Sequence, residues 1–364
     1  MCCTDAGGLV NHLCLADKLV RRNFHVSLIT CSRFEERVVH VGLPNKVHVE
    51  FIDKSTDPLY SKSERDIEIP DFFVAGTTCA NSLERKLTVQ WRNKVESIGI
   101  VDEWYNYRYR FDGSNETLEF LPDWIALPDD YAKAEAVAEG LPEQQCIATG
   151  LPSLGELSTR LQNFKNCPPA RPSALKEGPN KVVTFVSETF TKDYGSNPGE
   201  SGRMGNYVGY TEISVREQLI EIMRELGRSV HLVERLHPSD SSTIPNSSQS
   251  GSVKYSVVRE GDLHALLWHS SIIVGMRSMA LLEAALMGRP TYSFQPGLNE
   301  EQRCTAVRLG FVPDLRKATE LLKTILETWS NKFNMTSTKQ KCQDFFNYHR
   351  SATRNIVDFI ESRV

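Results

Sequence analysis

The chain has 364 residues, too many for one ordinary core and suited to two domains. It is 40% hydrophobic and 24% charged with a formal net charge of -4, so it has no general attraction for nucleic acid or anionic lipid and any anion site must be local. The apolar runs are too short for a bilayer span, and the opening MCCTDAGG does not read as a secretory signal. Nine scattered cysteines without C-x-x-C spacing argue against a disulfide framework and a zinc site, so a reducing, cytoplasmic setting is expected. The sequons at Asn115, Asn246 and Asn334 would matter only in a secreted chain.

Apolar residues at helical spacing predict a helix over 9–21, followed by a short buried strand over 25–30 (HVSLIT) and an alternating strand over 47–52. Residues 72–95 read as rich in helix, and 98–101 as a strand ending at Asp102 and Glu103. Strands over 124–127 and 146–148 flank a helix over 131–139. Strands alternating with helices imply parallel β-α-β units. A first strand should precede Gly7 and Gly8, which leaves only Met1 to Thr4 for it.

The pattern stops between 162 and 180, where NCPPARPSALKEGPN concentrates proline, glycine and polar residues as a linker does. It restarts with strands over 181–186 and 229–233 around a helix over 214–226, then a Ser-rich loop over 239–252. A helix over 262–269, a strand over 272–275, a helix over 279–287 and a strand over 291–294 follow, with closing helices over 318–333 and 339–361. The expected architecture is α/β, with two Rossmann-like doubly wound lobes and a cleft between them. The first lobe is 1–165, the linker 166–180 and the second, nucleotide-sugar-binding lobe 181–364, with room for the last helix to pack back on the first lobe. Ligands of such sheets lie beyond the carboxyl ends of the strands.

The strongest local signal is SSIIVGMRSMALLEAALMGRP, residues 270–290. An apolar strand ends at Gly275, and a helix begins near Ser278 and Met279. The N–H groups of that helix start are unpaired in the sequence reading and can hold a diphosphate. Ser278 can cap the helix or donate to phosphate. Glu283 lies about one and a half turns into the helix, where a carboxylate can accept both ribose hydroxyls. The flanking Leu281, Leu282, Ala284, Ala285 and Leu286 make a purely solvated role uncomfortable for it.

Ser278-x-x-x-x-Glu283-Ala284 followed by Gly288-x-Pro290 resembles the nucleotide-binding signature of GT-B glycosyltransferases and of the related non-hydrolysing UDP-N-acetylglucosamine 2-epimerases. Other segments are similar in the same order. Leu236-His237-Pro238 follows a strand as a His-Pro does in those epimerases, and Ala148-Thr149-Gly150-Leu151-Pro152 is similar to the turn closing their first lobe. Ser187-Glu188-Thr189 matches a phosphate-facing loop, and Gly7-Gly8 the first-lobe loop that faces acceptor or donor. The resemblance implies a nucleotide-sugar substrate, UDP-type, contacted also by Gly275, Met276 and Met279, with no separate cofactor. The epimerases carry Arg-Pro-Glu where this chain has Thr4-Asp5-Ala6-Gly7-Gly8, and His-Arg where it has Ser187-Glu188. These departures favour a transferase acting on a hydroxyl acceptor over an epimerase.

Three further clusters bear on chemistry. His237 can donate to the sugar diphosphate with Arg235 adding charge nearby, or it merely caps a turn before Pro238. The segment VDEWYNYRYRF, residues 101–111, joins two acids, two arginines and five aromatics. Its aromatic faces can bind a sugar, Arg108 and Arg110 an acceptor anion, and Glu103 or Asp102 can act as general base if burial raises its pKa. The same composition equally describes a packed face of stacked Arg and Tyr. Asp129 and Asp130 read as a helix start, and with Glu103 they are the candidates for an epimerase acid/base pair. Gln295-Pro296-Gly297 can touch the nucleotide or simply turn the chain. No D-x-D stands at a strand end, so metal-independent chemistry is expected.

Overall fold

The computed structural model describes residues 1–52, 67–78, 82–113, 117–176, 179, 181–240, 248–330 and 336–364. The sequons and Cys79 lie outside these residues, and all the described cysteines are free. The chain divides into two compact units, one of Met1–Arg160 with Gln343–Val364, the other of Leu161–Cys342.

The first unit is built on a parallel sheet with β1 (Val26–Cys31), β2 (Val47–Ile52), β3 (Phe72–Gly76), β4 (Glu96–Ile100), β5 (Trp124–Leu127) and β6 (Cys146–Ala148). In place of the expected first strand a single residue, Cys2, bridges the middle of the sheet. Cys2 bridges β1 and β3, donating to the Val74 carbonyl at 2.9 Å and accepting from Gly76 at 2.8 Å, while Cys3 donates to Ile29 at 3.0 Å. The order is therefore β2-β1-(Cys2)-β3-β4-β5-β6.

Among the described residues, helices α1 (Ala6–Arg21), α2 (Glu35–Val41), α3 (Leu83–Trp91), α4 (Asp130–Ala138) and the first part of α5 (Pro152–Asn166) belong to this unit. Helix α1 begins earlier than its apolar pattern suggests, because Asp5 caps it by accepting the Gly8 N–H at 2.8 Å. The reading of 72–95 as mostly helix is corrected. FFVAG is a continuous apolar run that the parallel sheet buries as β3, and among the described residues of this range only Leu83–Trp91 is helical.

In the second unit the strands are β7 (Val182–Val186), β8 (Val230–Arg235), β9 (Ser248–Ser250), β10 (Val253–Val258), β11 (Ile272–Gly275), β12 (Thr291–Phe294) and β13 (Asp314–Leu315). Their order is β13-β12-β11-β7-β8-β10-β9, parallel except for β9 against β10. Of the Ser-rich stretch, residues 241–247 lie outside the described ones and Ser248–Ser250 form a strand, not a loop. The helices are α6 (Phe190–Tyr194), α7 (Glu212–Glu225), α8 (Leu263–His269), α9 (Met279–Leu286), α10 (Thr305–Arg308) and α11 (Ala318–Trp329).

The closing helix is broken in two, α12 (Thr336–His349) and α13 (Ala352–Glu361). Helix α13 belongs to the first unit. Its Ile356, Val357 and Ile360 enter the core made by Leu9, Leu13 and Ala16 of α1, and Arg22 pairs with Asp358 at 3.1 Å. The division into compact units falls inside α5, and Leu175, within the expected linker over 166–180, is buried with Val182, Val233 and Leu266 in the second unit. No described helix is long and apolar enough to cross a membrane.

Candidate functional site

Each unit gathers polar groups at the carboxyl end of its own sheet. In the first, Asp102 follows β4 and Thr77 follows β3. Arg110, only 6% exposed, donates to Asp102 at 2.9 Å and to the Thr77 carbonyl at 3.0 Å, with Glu103 at 3.6 Å from its other terminal nitrogen. Gly7 lies in the first turn of α1, not in a loop, and a Cβ there would stand 2.7 Å from the Asp102 carboxylate. Gly8 is the N–H that Asp5 caps. Burial pushes Asp102 up to about 7, with Asp5 and Glu103 adding negative charge and Arg110 opposing. A carboxyl held there can take a proton near neutral pH.

Much of the 101–111 segment is committed to packing. Trp104, Tyr107 and Phe111 are buried, which withdraws their faces from any sugar. Arg108 turns aside from Asp102, pairing with Asp112 at 3.3 Å and standing against Gly140, while its backbone donates to Glu139 at 2.8 Å. Asp129 caps α4 through the Ala132 N–H at 2.7 Å and accepts the Trp104 indole at 2.8 Å. Asp130 is the first residue of that helix.

Two groups here escaped the sequence reading. Glu84 on α3 is fully buried, takes the Thr4 hydroxyl on both oxygens at 3.0 and 2.9 Å, and is pushed by burial up to about 6. In a helix written LERKLTVQW it reads as solvated, and nothing local marks it. His12 is buried on α1 with Nδ1 at 2.9 Å from the Gly8 carbonyl, and burial lowers it to about 4.

In the second unit the loops after β7 and β11 leave the sheet at neighbouring central strands, from which the chain winds to opposite sides. The N–H groups at the start of α9 are not unpaired, as the sequence reading had them. One oxygen of Glu188 accepts from Arg277 at 2.8 Å and from Ser278 at 3.1 Å. Ser278 is the cap, accepting from Ala280 at 3.3 Å. A carboxylate fits this place for the reason a phosphate would, because helix starts carry partial positive charge.

Arg277 was missed by sequence reasoning. Its guanidinium is buried between the rings of Phe190 (4.6 Å) and Tyr194 (4.4 Å) and pairs with Glu300 at 2.8 Å. It ties the β11 loop to α6 and to the segment after β12. A lone Arg at a strand-to-helix turn was the available signal.

Glu283 is half-buried, 22% exposed, and one of its oxygens meets Nε2 of His264 at 3.1 Å. His237 accepts the Ser239 N–H on Nδ1 at 3.1 Å, which puts the proton of the neutral ring on Nε2. Arg235 is spent on the loop ahead of α8, donating to the carbonyls of Glu260 and of Gly261, the latter at 3.1 Å.

Other expected contacts are buried or bonded within the unit. Gln295 is fully buried, taking the Tyr210 hydroxyl at 2.8 Å and giving its amide to Ser293 and Gln302, which makes it a tie within the second unit. Thr189 donates to Asp193 at 2.7 Å, and Ser187, Gly275 and Met276 are buried. Met279 is the first, half-buried residue of α9.

No family model matches the chain, and no curated protein matches it in sequence. Solved structures do match over its whole length. UDP-GlcNAc 2-epimerase from Neisseria meningitidis bound to UDP-GlcNAc superposes with a TM-score of 0.65 at 14% identity, covering 99% of each chain. A putative UDP-N-acetylglucosamine 2-epimerase from Listeria monocytogenes gives 0.64 at 15%, covering 99% of this chain and 95% of that one. The glycotransferase of kitacinnamycin gives 0.59 at 15%, covering 100% and 98%. With its parallel sheets and alternating helices, the chain has the fold shared by GT-B glycosyltransferases and UDP-GlcNAc 2-epimerases.

Proposed function

We propose that the protein is a glycosyltransferase that passes a sugar from a nucleotide diphosphate donor of UDP type to a hydroxyl acceptor, without a metal. The carrying observation is the half-buried carboxylate of Glu283 on the helix that starts at Ser278. Diphosphate at that helix start puts a ribose about one and a half turns along, over Glu283. His237, with its proton on Nε2, and the Ser278 hydroxyl are the groups to steady the leaving phosphate.

In the reaction the acceptor oxygen bonds to the anomeric carbon as that carbon's bond to the phosphate oxygen breaks. The acceptor proton goes to Asp102, and the nucleoside diphosphate leaves with the bonding pair. Asp102 suits the base because burial raises it to about 7. The Glu188 carboxylate has to yield the Arg277 and Ser278 N–H groups before phosphate can use them.

A second reading, an epimerase acting on the same donor, is favoured by the likeness to UDP-GlcNAc 2-epimerases. Against it stand the missing Arg-Pro-Glu and His-Arg runs and the commitment of Asp129 to its cap and Trp104. Incubation with UDP-GlcNAc alone separates the two. Appearance of the manno epimer sinks the transferase reading, whereas acceptor-dependent release of UDP supports it. UDP should also raise the melting temperature of the wild type by more than that of Glu283→Ala, which keeps the phosphate site but loses the ribose contact. Tight binding with no turnover of any donor would make the protein a nucleotide-sugar binder instead.

A further inference from the structure

We infer that His264 is a positioning residue for Glu283, and that through it the site distinguishes ribose from deoxyribose. The inference rests on the reading of Glu283 as the ribose acceptor. Glu283 is flanked on α9 by buried Leu281, Leu282, Ala284 and Ala285, so its carboxylate is a polar end on an apolar helix face. A Glu side chain has three rotatable bonds, and a ligand that must first order them binds more weakly. The N–H of His264 Nε2, 3.1 Å from one Glu283 oxygen, restricts that freedom. One carboxylate oxygen is pinned, which narrows the orientations open to the other.

His264 is itself held from behind. Asp262 caps α8 by accepting the Ala265 N–H at 3.2 Å, which sets the first turn carrying His264. Ahead of it, Arg235 at the end of β8 grips the carbonyls of Glu260 and Gly261. Arg235, the 260–262 turn, His264 and Glu283 thus form one continuous strut from the sheet to the carboxylate. Ribose offers two vicinal hydroxyl donors to an oriented carboxylate and 2′-deoxyribose offers one. The strut therefore bears on that difference and not on the phosphates.

The test is calorimetric binding of UDP, 2′-deoxy-UDP and inorganic pyrophosphate to the full chain, as wild type, Glu283→Ala, His264→Leu and His264→Gln. Wild type should prefer UDP over the deoxy form by about tenfold, the worth of one hydrogen bond to a charged group. His264→Leu should lose most of that preference while binding pyrophosphate as before, which also reports an intact fold. His264→Gln, whose amide can donate to the same oxygen, should keep the preference. A preference undiminished in His264→Leu, or equally lost in His264→Gln, overturns the positioning role alone. A preference that survives in Glu283→Ala, or a wild type that ignores UDP, overturns the ribose reading and this inference together.

Discussion

Glu188 and Arg277, 89 residues apart, are joined by a hydrogen bond of 2.8 Å from the backbone N–H of one to the carboxylate of the other. The same oxygen holds Ser278, so an internal anion occupies two donors at the start of α9. Any phosphate that uses those donors must displace a group bearing the same sign of charge. Replacing Glu188 by Gln removes that charge and weakens the hold. Pyrophosphate and UDP should then bind about tenfold more tightly, a charged hydrogen bond being worth roughly 1.5–3 kcal/mol. Unchanged or weaker binding in titration calorimetry would mean that the phosphates go elsewhere.

In the proposed transfer Asp102 is the base, and the pH dependence should follow it. Its pKa in the folded chain is raised from 3.8 to about 7, so the carboxyl is protonated below that value and can act as base only above it. The kcat/KM for transfer should fall about tenfold per pH unit on the acid side of 7. Asp102→Asn should lower it by roughly 10²–10⁴ and abolish this limb. Gly7→Ala should also cost activity, by about tenfold or more, because its Cβ would stand 2.7 Å from that carboxylate and one of the two must move. A wild-type profile flat between pH 5 and 8 would remove Asp102 from the mechanism.

How far the sequence reaches differs between fold and site. Alternation of strand and helix patterns is a local property, and it marked much of both sheets, though β10 and β13 went unread and the bridge at Cys2 shows only as a gap before Gly7. FFVAG misled because an apolar run buried on both faces has no period of its own. Glu283 and Asp102 stood out from their neighbours in the chain. What Glu188, Gln295 and Arg235 do did not, because their partners come from distant segments: Arg277, Tyr210 and Gly261. Burial of Glu84 and of the Trp104 and Tyr107 rings is likewise a product of packing that no window of sequence displays.

Sugar transfer should survive excess chelator. In the proposed mechanism the start of α9, the Ser278 hydroxyl and His237 meet the charge leaving on the diphosphate, with no cation required. Turnover measured with and without chelator should agree within about twofold, too small a gap for a Lewis acid worth several kcal/mol. Loss of turnover that Mg²⁺ restores would contradict this.

Gly209 tests the packing that holds the segment after β12. Its φ of +102° is a conformation that side chains rarely adopt, and a Cβ there would lie 1.9 Å from the Gly297 carbonyl oxygen. That approach lets Asn299 donate to Val208 at 3.1 Å and seats Tyr210 on Gln295 at 2.8 Å, fixing the stretch that carries Glu300, the partner of Arg277. Gly209→Ala therefore combines backbone strain with overpacking and should cost roughly 3 kcal/mol or more. For a unit of this size, Leu161–Cys342, that is a fall of about 6–12 °C in its Tm. Gly227→Ala is the matched control in the same unit, with φ of +60° and nothing within 4 Å of the added atom, so it carries the strain alone at about 1 kcal/mol. Equal shifts for the two variants would show that the contact with Gly297 is not what Gly209 protects. A larger shift for Gly209→Ala, with weakened UDP binding, would tie the Gly297 turn to the Arg277 clamp.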